Sequence, residues 1–329
     1  MKIAFFSTKS YDKETFQRYN NGRHQLDFFK AQLNINTVGM TEGYKAICVF
    51  VNDDVNAQVI KKLAKCKVKI IALRCAGFNN VDLEAAVKAS IKVVRVPAYS
   101  PMAVAEHAVA LIMTLNRKTH KAYNRVREGN FAADRLTGFN LHKKTVGVIG
   151  TGKIGVAFCK IMLGFGCRVL AFDVYENEDL KTQGVTYLPF KKVLQRSDII
   201  SLHCPLNDHT HHLMNTATFS EMKKGAMLIN TSRGGLINTK AVIKALKKRK
   251  LGYLGIDVYE EEEELFFRDL SERIITDDQI MRLMAFPNVL VTAHQGFLTN
   301  EALENIANIT LENISDFEKG KSLENEVTI

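Results

Sequence analysis

The chain has 329 residues, a length that favours two domains over one, and its 46% apolar and 24% charged residues are typical of a soluble globular protein. The net charge is +10, but the lysines recur at helical spacing without interleaved aromatic residues, so we expect no nucleic-acid binding. The chain shows no signal-peptide pattern, no apolar run of about 18 residues and no metal or disulfide spacing among its six cysteines, which favours a cytoplasmic protein without a membrane span.

Residues 1 to about 98 alternate strands with helices, a pattern that predicts a parallel sheet. The predicted strands are Ile3–Phe6, Ala46–Val51, Ile70–Leu73 and Val93–Val96, and the predicted helices are Lys13–Tyr19, Ala57–Lys65 and Leu83–Ala89. The segment 74–82 leaves the third strand and enters a helix. Its backbone N–H groups would suit a small anion, but a structural glycine turn with an Asn or Asp cap explains the same residues equally well.

A long, mostly apolar helix is predicted at Met102–Asn116, after a rigid crossing bracketed by Pro97 and Pro101. It is a plausible connector between two α/β units. We interpret His107 within it as an interface histidine that is hydrogen-bonded by its neighbours, rather than as a ligand.

The stretch Lys143–Tyr175 predicts a strand, a glycine turn, a helix and a second strand. Its parts are Thr145–Ile149, the pattern G-x-G-x-x-G at Gly150, Gly152 and Gly155, the apolar helix Ile154–Leu163, and the strand Arg168–Phe172 followed by Asp173. Such a turn lets a pyrophosphate approach the helix N-terminus, and the acidic residue can bind the ribose 2′-hydroxyl. Because residues 174–179 contain no Arg and are acidic, we predict NAD rather than NADP.

Four more strands are predicted beyond this stretch, at Asp198–Leu202, Met227–Asn230, Leu254–Val258 and Val289–Thr292, with helices at Pro189–Leu194 and at 299–319. Ligands of open parallel sheets bind at the carboxyl ends of the strands. Asp173, His203, Arg233, Glu262 and His294 all lie at or just beyond such ends, which predicts a catalytic site there. The last helix can cross back to the first unit, so we expect domains of 1–100 plus 299–329 and of 101–298.

These residue types suit the reduction of a 2-oxo acid by a nicotinamide cofactor. Arg233, flanked by Ser232 and two glycines, is a natural clamp for a substrate carboxylate. His294 is suited to acid–base work at neutral pH, and one glutamate of the run 260–264 could pair with it and favour its charged form.

Two histidine features are left without a catalytic role. His203 either forms part of the cofactor wall or has no role in the site. His209, His211 and His212 form a local cluster, but no Cys or carboxylate lies at metal spacing from them, so we predict no metal.

Five ordered motifs resemble the D-isomer-specific 2-hydroxyacid dehydrogenase family over nearly the whole chain: VGVIGTGKIG with AFD, SLHCPL, LINTSRGGLI, GIDVYEEE and TAHQGF. The segments LRCAGFNNVD, VPAYSPMAVAEHA and DVYEEE followed by LFF are most similar to its fermentative D-lactate dehydrogenase branch. The resemblance implies two Rossmann-like parallel-sheet domains, one flavodoxin-like and one NAD-binding, with a cleft between them and dimerisation through the NAD domain.

The resemblance also implies site residues. The catalytic residues would be Arg233, Glu262 and His294, with Glu262 chosen because the family's glutamate falls five residues after an Asp, here Asp257. The NAD contacts would be Gly150, Gly152, Lys153, Ile154, Gly155, Asp173, Cys204, Pro205, Thr231, Ser232 and Asp257. The substrate contacts would be the backbone at Ala76 and Gly77, the side chains of Tyr99 and Phe297, and again Arg233 and His294.

The implied activity is reduction of pyruvate with NADH to D-lactate by a homodimer or a dimer-based homo-oligomer. Two alternatives stay open: a dehydrogenase for a bulkier 2-oxo acid such as phenylpyruvate or hydroxypyruvate, and an NAD-sensing interaction protein like the C-terminal-binding-protein corepressors. The absence of long tails for partner proteins argues against the second.

Overall fold

The computed structural model describes residues 1–262 and 265–328. Of the glutamate run at 260–264, Glu263 and Glu264 therefore lie outside the described residues, as does Ile329. The described chain divides into two units. The first consists of Met1–Ser100 and the segment from Phe297 onwards, and the second is Pro101–Gly296. Phe297 and Leu298 thus belong to the first unit.

The strands of the described chain are β1 (Lys2–Phe5), β2 (Gln25–Phe28), β3 (Ala46–Val49), β4 (Ile70–Leu73), β5 (Lys92–Val94), β6 (Thr145–Ile149), β7 (Arg168–Phe172), β8 (Thr186–Tyr187), β9 (Ile199–Leu202), β10 (Ala226–Asn230), β11 (Leu251–Ile256) and β12 (Val289–Val291). The α-helices are α1 (Ser10–Asn20), α2 (Ala57–Lys65), α3 (Leu83–Lys88), α4 (Pro101–Arg117), α5 (Thr119–Arg127), α6 (Lys153–Gly164), α7 (Glu178–Thr182), α8 (Phe190–Arg196), α9 (Thr216–Glu221), α10 (Thr239–Lys247), α11 (Asp278–Met284) and α12 (Asn300–Glu318). Short 3-10 turns occur at Val38–Thr41 and Gly234–Leu236.

The first unit is organised around a five-stranded parallel sheet with the order β2-β1-β3-β4-β5, which is the flavodoxin-like order. Every residue of β3 and β4 is buried, as the continuous apolar runs predict for central strands covered on both faces. The C-terminal helix α12 packs against α1 and β4. Asn313 of this helix also donates a hydrogen bond to the Arg95 carbonyl, 3.0 Å away, so the end of the chain covers the sheet formed by its beginning.

The second unit is organised around a seven-stranded sheet whose described pairs are all parallel. Its order, β12-β11-β10-β9-β6-β7-β8, is the Rossmann order extended by one strand. The long helix α4 packs against α6 and β11, so it belongs to the second unit and covers one face of this sheet. Among the described residues, no helix is long and apolar enough to cross a membrane.

The predicted α/β architecture with two parallel sheets is confirmed, and the predicted strands and long helices occur within a few residues of their expected bounds. The sequence analysis missed β2, β8, α5, α7, α9 and α11. Three of them are weak signals: β8 has two residues, α7 has five, and α5 buries none of its residues.

Candidate active site

The second unit places its polar residues along one edge of the sheet, at the carboxyl ends of adjacent strands. In the order of the strands from β12 to β7, these are His294, then Asp257 and Glu262, Arg233, Cys204, the turn at Gly150–Gly152, and Asp173. Ligands of open parallel sheets bind at this edge.

The glycine turn after β6 has the shape that a dinucleotide pyrophosphate needs. Gly150 has a φ of +94°, and a Cβ at this position would lie 2.6 Å from the Cys204 backbone nitrogen. A Cβ on Gly155 would lie 2.0 Å from the Gly150 carbonyl oxygen, whereas one on Gly152 would meet nothing within 4 Å. Gly152 is also the N-cap of α6 and provides no side-chain cap, so the first N–H groups of this helix are available to a phosphate.

Asp173, at the end of β7, holds this turn in place by hydrogen bonds to Thr151. Its Oδ2 accepts hydrogen bonds from the backbone nitrogen of Thr151 and from Thr151 Oγ1, the latter at 3.1 Å. Its Oδ1 accepts a hydrogen bond of 3.1 Å from the Tyr175 backbone nitrogen. The carboxylate is therefore fixed beside the phosphate turn, where an adenosine ribose would lie in a dinucleotide complex.

A second observation that fits a cofactor comes from Thr231, which follows β10. Thr231 is buried, and its Oγ1 has no hydrogen-bond partner among the described residues. Buried polar atoms are nearly always hydrogen-bonded, so a cofactor group bound at the same edge of the sheet would supply the partner that this hydroxyl lacks. The residues present therefore fit a dinucleotide, in agreement with the prediction of NAD.

Arg233 lies in a turn that is held by buried Asn230. The Asn230 Nδ2 donates to the Arg233 carbonyl at 2.8 Å, and its Oδ1 accepts from the Ser232 nitrogen at 3.0 Å. The guanidinium itself donates only to the Ser232 carbonyl at 2.7 Å, and it has no carboxylate partner among the described residues. A half-buried guanidinium without a counter-ion is suited to bind a substrate carboxylate.

Glu262 and His294 meet after the ends of β11 and β12. The Glu262 Oε1 and the His294 Nδ1 are 2.9 Å apart, and the Glu262 Oε2 accepts a hydrogen bond of 2.8 Å from the Tyr259 nitrogen. A carboxylate only accepts, so Nδ1 carries the hydrogen, and Nε2 has no partner among the described residues. This arrangement presents Nε2 of an oriented imidazole to a ligand.

The turn that carries His294 is held by Asp257. The Asp257 carboxylate accepts hydrogen bonds from the nitrogens of Gln295 and Gly296, at 3.0 and 2.7 Å, and its carbonyl accepts from the His294 nitrogen at 2.7 Å. Burial opposes ionisation of Asp257, but hydrogen bonds from His107 and Thr292 outweigh it and lower its pKa. His294 itself has a φ of +54°, a left-handed conformation that the surrounding structure must stabilise.

The loop after β9 contains His203, Cys204 and Pro205. Burial raises the pKa of the Cys204 thiol to about 11. The thiol is therefore protonated at neutral pH, and Cys204 can line a cofactor site but is not a nucleophile. His203 is buried, hydrogen-bonds to the Ser201 hydroxyl at 2.9 Å and packs on the Phe158 ring. Its position beneath the glycine turn favours a packing role over a ligand role.

We expect His203 to make the protein acid-sensitive. Burial lowers its pKa to about 3, against 6.5 for an unfolded histidine, so the unfolded state binds more protons between these pH values. The free energy of unfolding should therefore fall as the pH drops below about 6.5, by up to about 1.4 kcal/mol per pH unit from this group. Thermal midpoints measured across this range should decline less in His203→Asn than in the parent chain. Equal declines would show that other groups cause the acid sensitivity.

The first unit contains the predicted anion-binding segment after β4. Among the described residues, nothing accepts a hydrogen bond from the backbone N–H groups of Ala76 and Gly77. The Ala76 carbonyl accepts from Arg95 Nη1 at 2.9 Å, and the Arg95 guanidinium lies over the Phe78 ring. Free N–H groups beside a cation favour the anion interpretation over the structural turn, two readings that the residues alone left open.

An aromatic cluster lies in the same unit. The ring of Phe297 is 6.2 Å from that of Tyr99, 5.8 Å from that of Phe50 and 6.4 Å from that of Tyr11. The sequence analysis named Tyr99 and Phe297 but missed Phe50 and Tyr11, which lie just after β3 and at the start of α1. Their position beyond strand ends was the signal that could have found them.

Two other contributors were missed because their roles depend on contacts between distant parts of the chain. The Phe267 ring lies 5.6 Å from the His294 ring, and the Phe267 backbone has a φ of +62°. The Tyr259 backbone nitrogen orients Glu262. His107 was interpreted as a hydrogen-bonded structural histidine, and it contacts Thr292 at 3.1 Å and Asp257 at 3.2 Å.

Comparison with protein families gives a match to the NAD binding domain of the D-isomer specific 2-hydroxyacid dehydrogenases over residues 109–296. The chain is also 53% identical to the D-lactate dehydrogenase of Escherichia coli K12 over 328 residues, which cover 99% of this chain and 100% of that protein.

Solved structures give the same relationship. The apo-structure of D-lactate dehydrogenase from Escherichia coli is 51% identical, with a TM-score of 0.93 and full coverage of both chains. The D-lactate dehydrogenase of Lactobacillus jensenii, solved with NAD+, is 33% identical, with a TM-score of 0.84 and full coverage of both chains. The relatives thus match this chain over its whole length and not only over the dinucleotide-binding part.

Proposed function

Because the chain belongs to the D-isomer specific 2-hydroxyacid dehydrogenase family and carries its NAD binding domain, we propose that it reduces pyruvate to D-lactate with NADH. The observation that best supports this reaction is the 2.9 Å contact between Glu262 and His294, one strand away from the turn with Arg233, whose guanidinium has no carboxylate partner among the described residues. The reduction of a 2-oxo acid requires a proton donor, here His294, and a cation that binds the carboxylate, here Arg233. Glu262 would stabilise the charged form of the donor.

The proposed mechanism assigns one task to each residue. Arg233 binds the substrate carboxylate through its two parallel N–H groups and thereby orients the neighbouring carbonyl. The imidazolium of His294 donates the Nε2 proton to the carbonyl oxygen as the alcohol forms, and Glu262 stabilises the positive charge from the Nδ1 side. A nicotinamide held by the second unit would supply the hydride. Asp257 positions His294 by holding the turn at residues 294–296.

The cofactor would be held by residues of the second unit alone. The helix α6 N-terminus at Gly152, Lys153 and Ile154 would face the pyrophosphate, with Gly150 and Gly155 shaping the turn. Asp173 would bind the ribose, and the remaining predicted contacts are Cys204, Pro205, Thr231, Ser232 and Asp257. Of these, the unpaired Thr231 hydroxyl gives the strongest support.

In the first unit, we propose that the free N–H groups of Ala76 and Gly77 also bind the substrate carboxylate. Tyr99 and Phe297 would contact the remainder of the substrate as members of the aromatic cluster. Bulky rings favour a small substituent such as the methyl group of pyruvate over a phenyl group, since Phe297 is already surrounded by three rings.

We expect NADH to be preferred over NADPH by at least about tenfold in kcat/KM. The Asp173 carboxylate would face a 2′-phosphate, and bringing these like charges together should cost about 1.4 kcal/mol or more, the equivalent of tenfold. Initial rates with each coenzyme at saturating pyruvate measure this ratio. Equal efficiencies would contradict the role given to Asp173.

Glu262→Gln should move the reductive pH profile. The substitution keeps the shape but removes the negative charge beside His294, so the imidazolium is less favoured and the rate should fall off at a lower pH than in the parent. Glu261→Gln is the matched control, because Glu261 is exposed. A profile that moves with Glu261→Gln and not with Glu262→Gln would show that the wrong glutamate was chosen.

We further propose a cytoplasmic homodimer or dimer-based oligomer. The six cysteines are all free, which fits a reducing compartment. Three exposed apolar side chains lie close together in the chain on and after α5, where Tyr123, Val126 and Phe131 are 62%, 50% and 79% exposed, and a protein contact here would cover them. Light scattering of the purified chain tests this proposal, and a monomer would contradict it.

The substrate is tested by comparing catalytic efficiencies for pyruvate, hydroxypyruvate and phenylpyruvate at saturating NADH. We expect pyruvate to be favoured. If a bulkier acid is preferred, the roles proposed for the residues stay the same and only the assigned substrate changes. Binding of NADH without turnover of any 2-oxo acid would favour the NAD-sensing alternative.

A further inference from the structure

His211, His212 and Glu260 form a group that the proposed reaction does not use. We call it the histidine–glutamate cluster. One ligand atom from each residue lies within 4.8 Å of the other two, and His212 Nε2 is in direct contact with Glu260 Oε1. The two histidines belong to the loop between β9 and α9, whereas Glu260 follows β11.

The backbone brings the two rings to the same side of the loop. Neighbouring side chains of an extended chain point in opposite directions, but His212 has a φ of +52°, in the left-handed region. As a result the rings of His211 and His212 stack, with their centroids 3.8 Å apart and their planes inclined by 27°. Histidine is one of the non-glycine residues that adopt this conformation most often.

Glu260 is fixed by separate contacts. Its Oε2 accepts hydrogen bonds from the backbone nitrogen and the hydroxyl of Thr239, at 3.1 and 2.7 Å. Burial opposes its ionisation, but the hydrogen bonds from Thr239 and His212 outweigh burial and lower its pKa. The carboxylate is therefore charged at neutral pH, and Oε1 faces the histidines.

We propose that His211, His212 and Glu260 bind a transition-metal dication of the Zn²⁺ type, with water completing the coordination. Two imidazole nitrogens and a carboxylate oxygen are a donor set that suits Zn²⁺ and Co²⁺ rather than Mg²⁺ or Ca²⁺. Ligand atoms around tetrahedral Zn²⁺ lie roughly 3.3 Å apart at metal–ligand distances of about 2.0–2.1 Å. In the cluster the three ligand atoms lie within 4.8 Å of one another, so rotation of the exposed His211 ring has to bring its nitrogen closer to the other two.

Binding would change the hydrogen bonding of His212. Without metal, the amide nitrogen of Asn238 lies 3.3 Å from His212 Nδ1, and Nε2 donates to Glu260. A metal on Nε2 moves the hydrogen to Nδ1 and removes the long contact with Asn238, so the affinity should be moderate and not that of a structural zinc site.

A metal at this position would connect three segments next to the proposed active site. The first is the loop after β9, which carries His211 and His212. The second is the start of α10, where Thr239 is hydrogen-bonded to Glu260, and the third is the segment after β11, where Glu260 precedes Glu262 by two residues. Sequence spacing does not indicate this site, because Glu260 is distant in the chain from the histidines. The sequence analysis predicted no metal because no carboxylate lies at metal spacing in the chain, and the fold brings Glu260 into contact with His212 from a distant segment.

The test uses the full-length, tag-free chain titrated with Zn²⁺ by calorimetry and with Co²⁺ by visible absorption. We expect one ion per chain, d–d bands of four- or five-coordinate Co²⁺, and an increase in the thermal midpoint on adding Zn²⁺. His211→Gln should weaken binding more than about tenfold, because losing a ligand costs more than losing an outer hydrogen bond. His211 is exposed, so this variant should fold normally.

His209→Gln is the matched control, since His209 is an exposed histidine of the same loop outside the cluster, and it should bind as tightly as the parent. Glu260→Gln should weaken binding as His211→Gln does. The proposal is overturned if no ion binds, if His211→Gln and His209→Gln bind equally, or if Co²⁺ shows thiolate charge-transfer bands from cysteine ligands. None of these readouts depends on the dehydrogenase activity.

Discussion

Arg233→Ala should lose about 3–5 kcal/mol of substrate and transition-state binding, which corresponds to a decrease in kcat/KM for pyruvate of two to almost four orders of magnitude. The variant removes the cation that would bind the substrate carboxylate, and none of the described carboxylates is left unpaired by its removal, since Arg233 has none as a partner. The loss should therefore appear in kinetics and not in the thermal midpoint. Steady-state NADH oxidation with pyruvate measures it.

Arg196→Ala is the matched control, because Arg196 is an exposed arginine of the same unit at the end of α8. It should leave both kcat and KM unchanged. Arg233→Lys keeps the charge but not the paired N–H groups, so an intermediate loss is expected. If the kinetics of Arg233→Ala equal those of the parent chain, Arg233 does not bind the substrate carboxylate.

His294→Gln should lower kcat by about 10²–10⁴-fold, because the proton donor to the carbonyl oxygen is lost. Glutamine can still accept or donate a hydrogen bond, but it does not deliver a proton at neutral pH. Binding of NADH, followed by the change in its fluorescence, should remain close to that of the parent. The turnover number at saturating pyruvate and the coenzyme affinity together distinguish a lost acid from a damaged fold.

His209→Gln makes the same change at an exposed position away from the turn with His294, and it should be kinetically silent. A small effect of His294→Gln on kcat, with a large effect on KM alone, would show that the histidine binds substrate without donating the proton.

Much of the second unit could be predicted from local patterns. The apolar strands β6, β7 and β9 to β12 have strong signals, and a parallel sheet brings their carboxyl ends to one edge, where polar residues then stand out. The glycine turn could be predicted as well. Only glycine fits at Gly150 and Gly155, and this requirement produces the G-x-G-x-x-G pattern that the sequence shows. Position along this edge therefore followed from strand order, without any knowledge of side-chain contacts.

Contacts between distant segments could not be predicted in the same way. Nothing in the local sequence indicates that Asp257 holds the turn of His294, that Phe267 packs on this histidine, or that Glu260 meets His212. Each pair depends on the conformation of loops, including left-handed backbone at His212, Phe267 and His294, and such conformations are set by tertiary packing and not by local propensity.

The stereochemistry of the product tests the proposed function most directly. Pyruvate is reduced to completion with NADH and the purified chain, and the lactate is resolved by a chiral assay. We predict D-lactate, formed in equal amount to the NADH consumed. L-lactate, a racemic product or no lactate at all would contradict the proposed reaction.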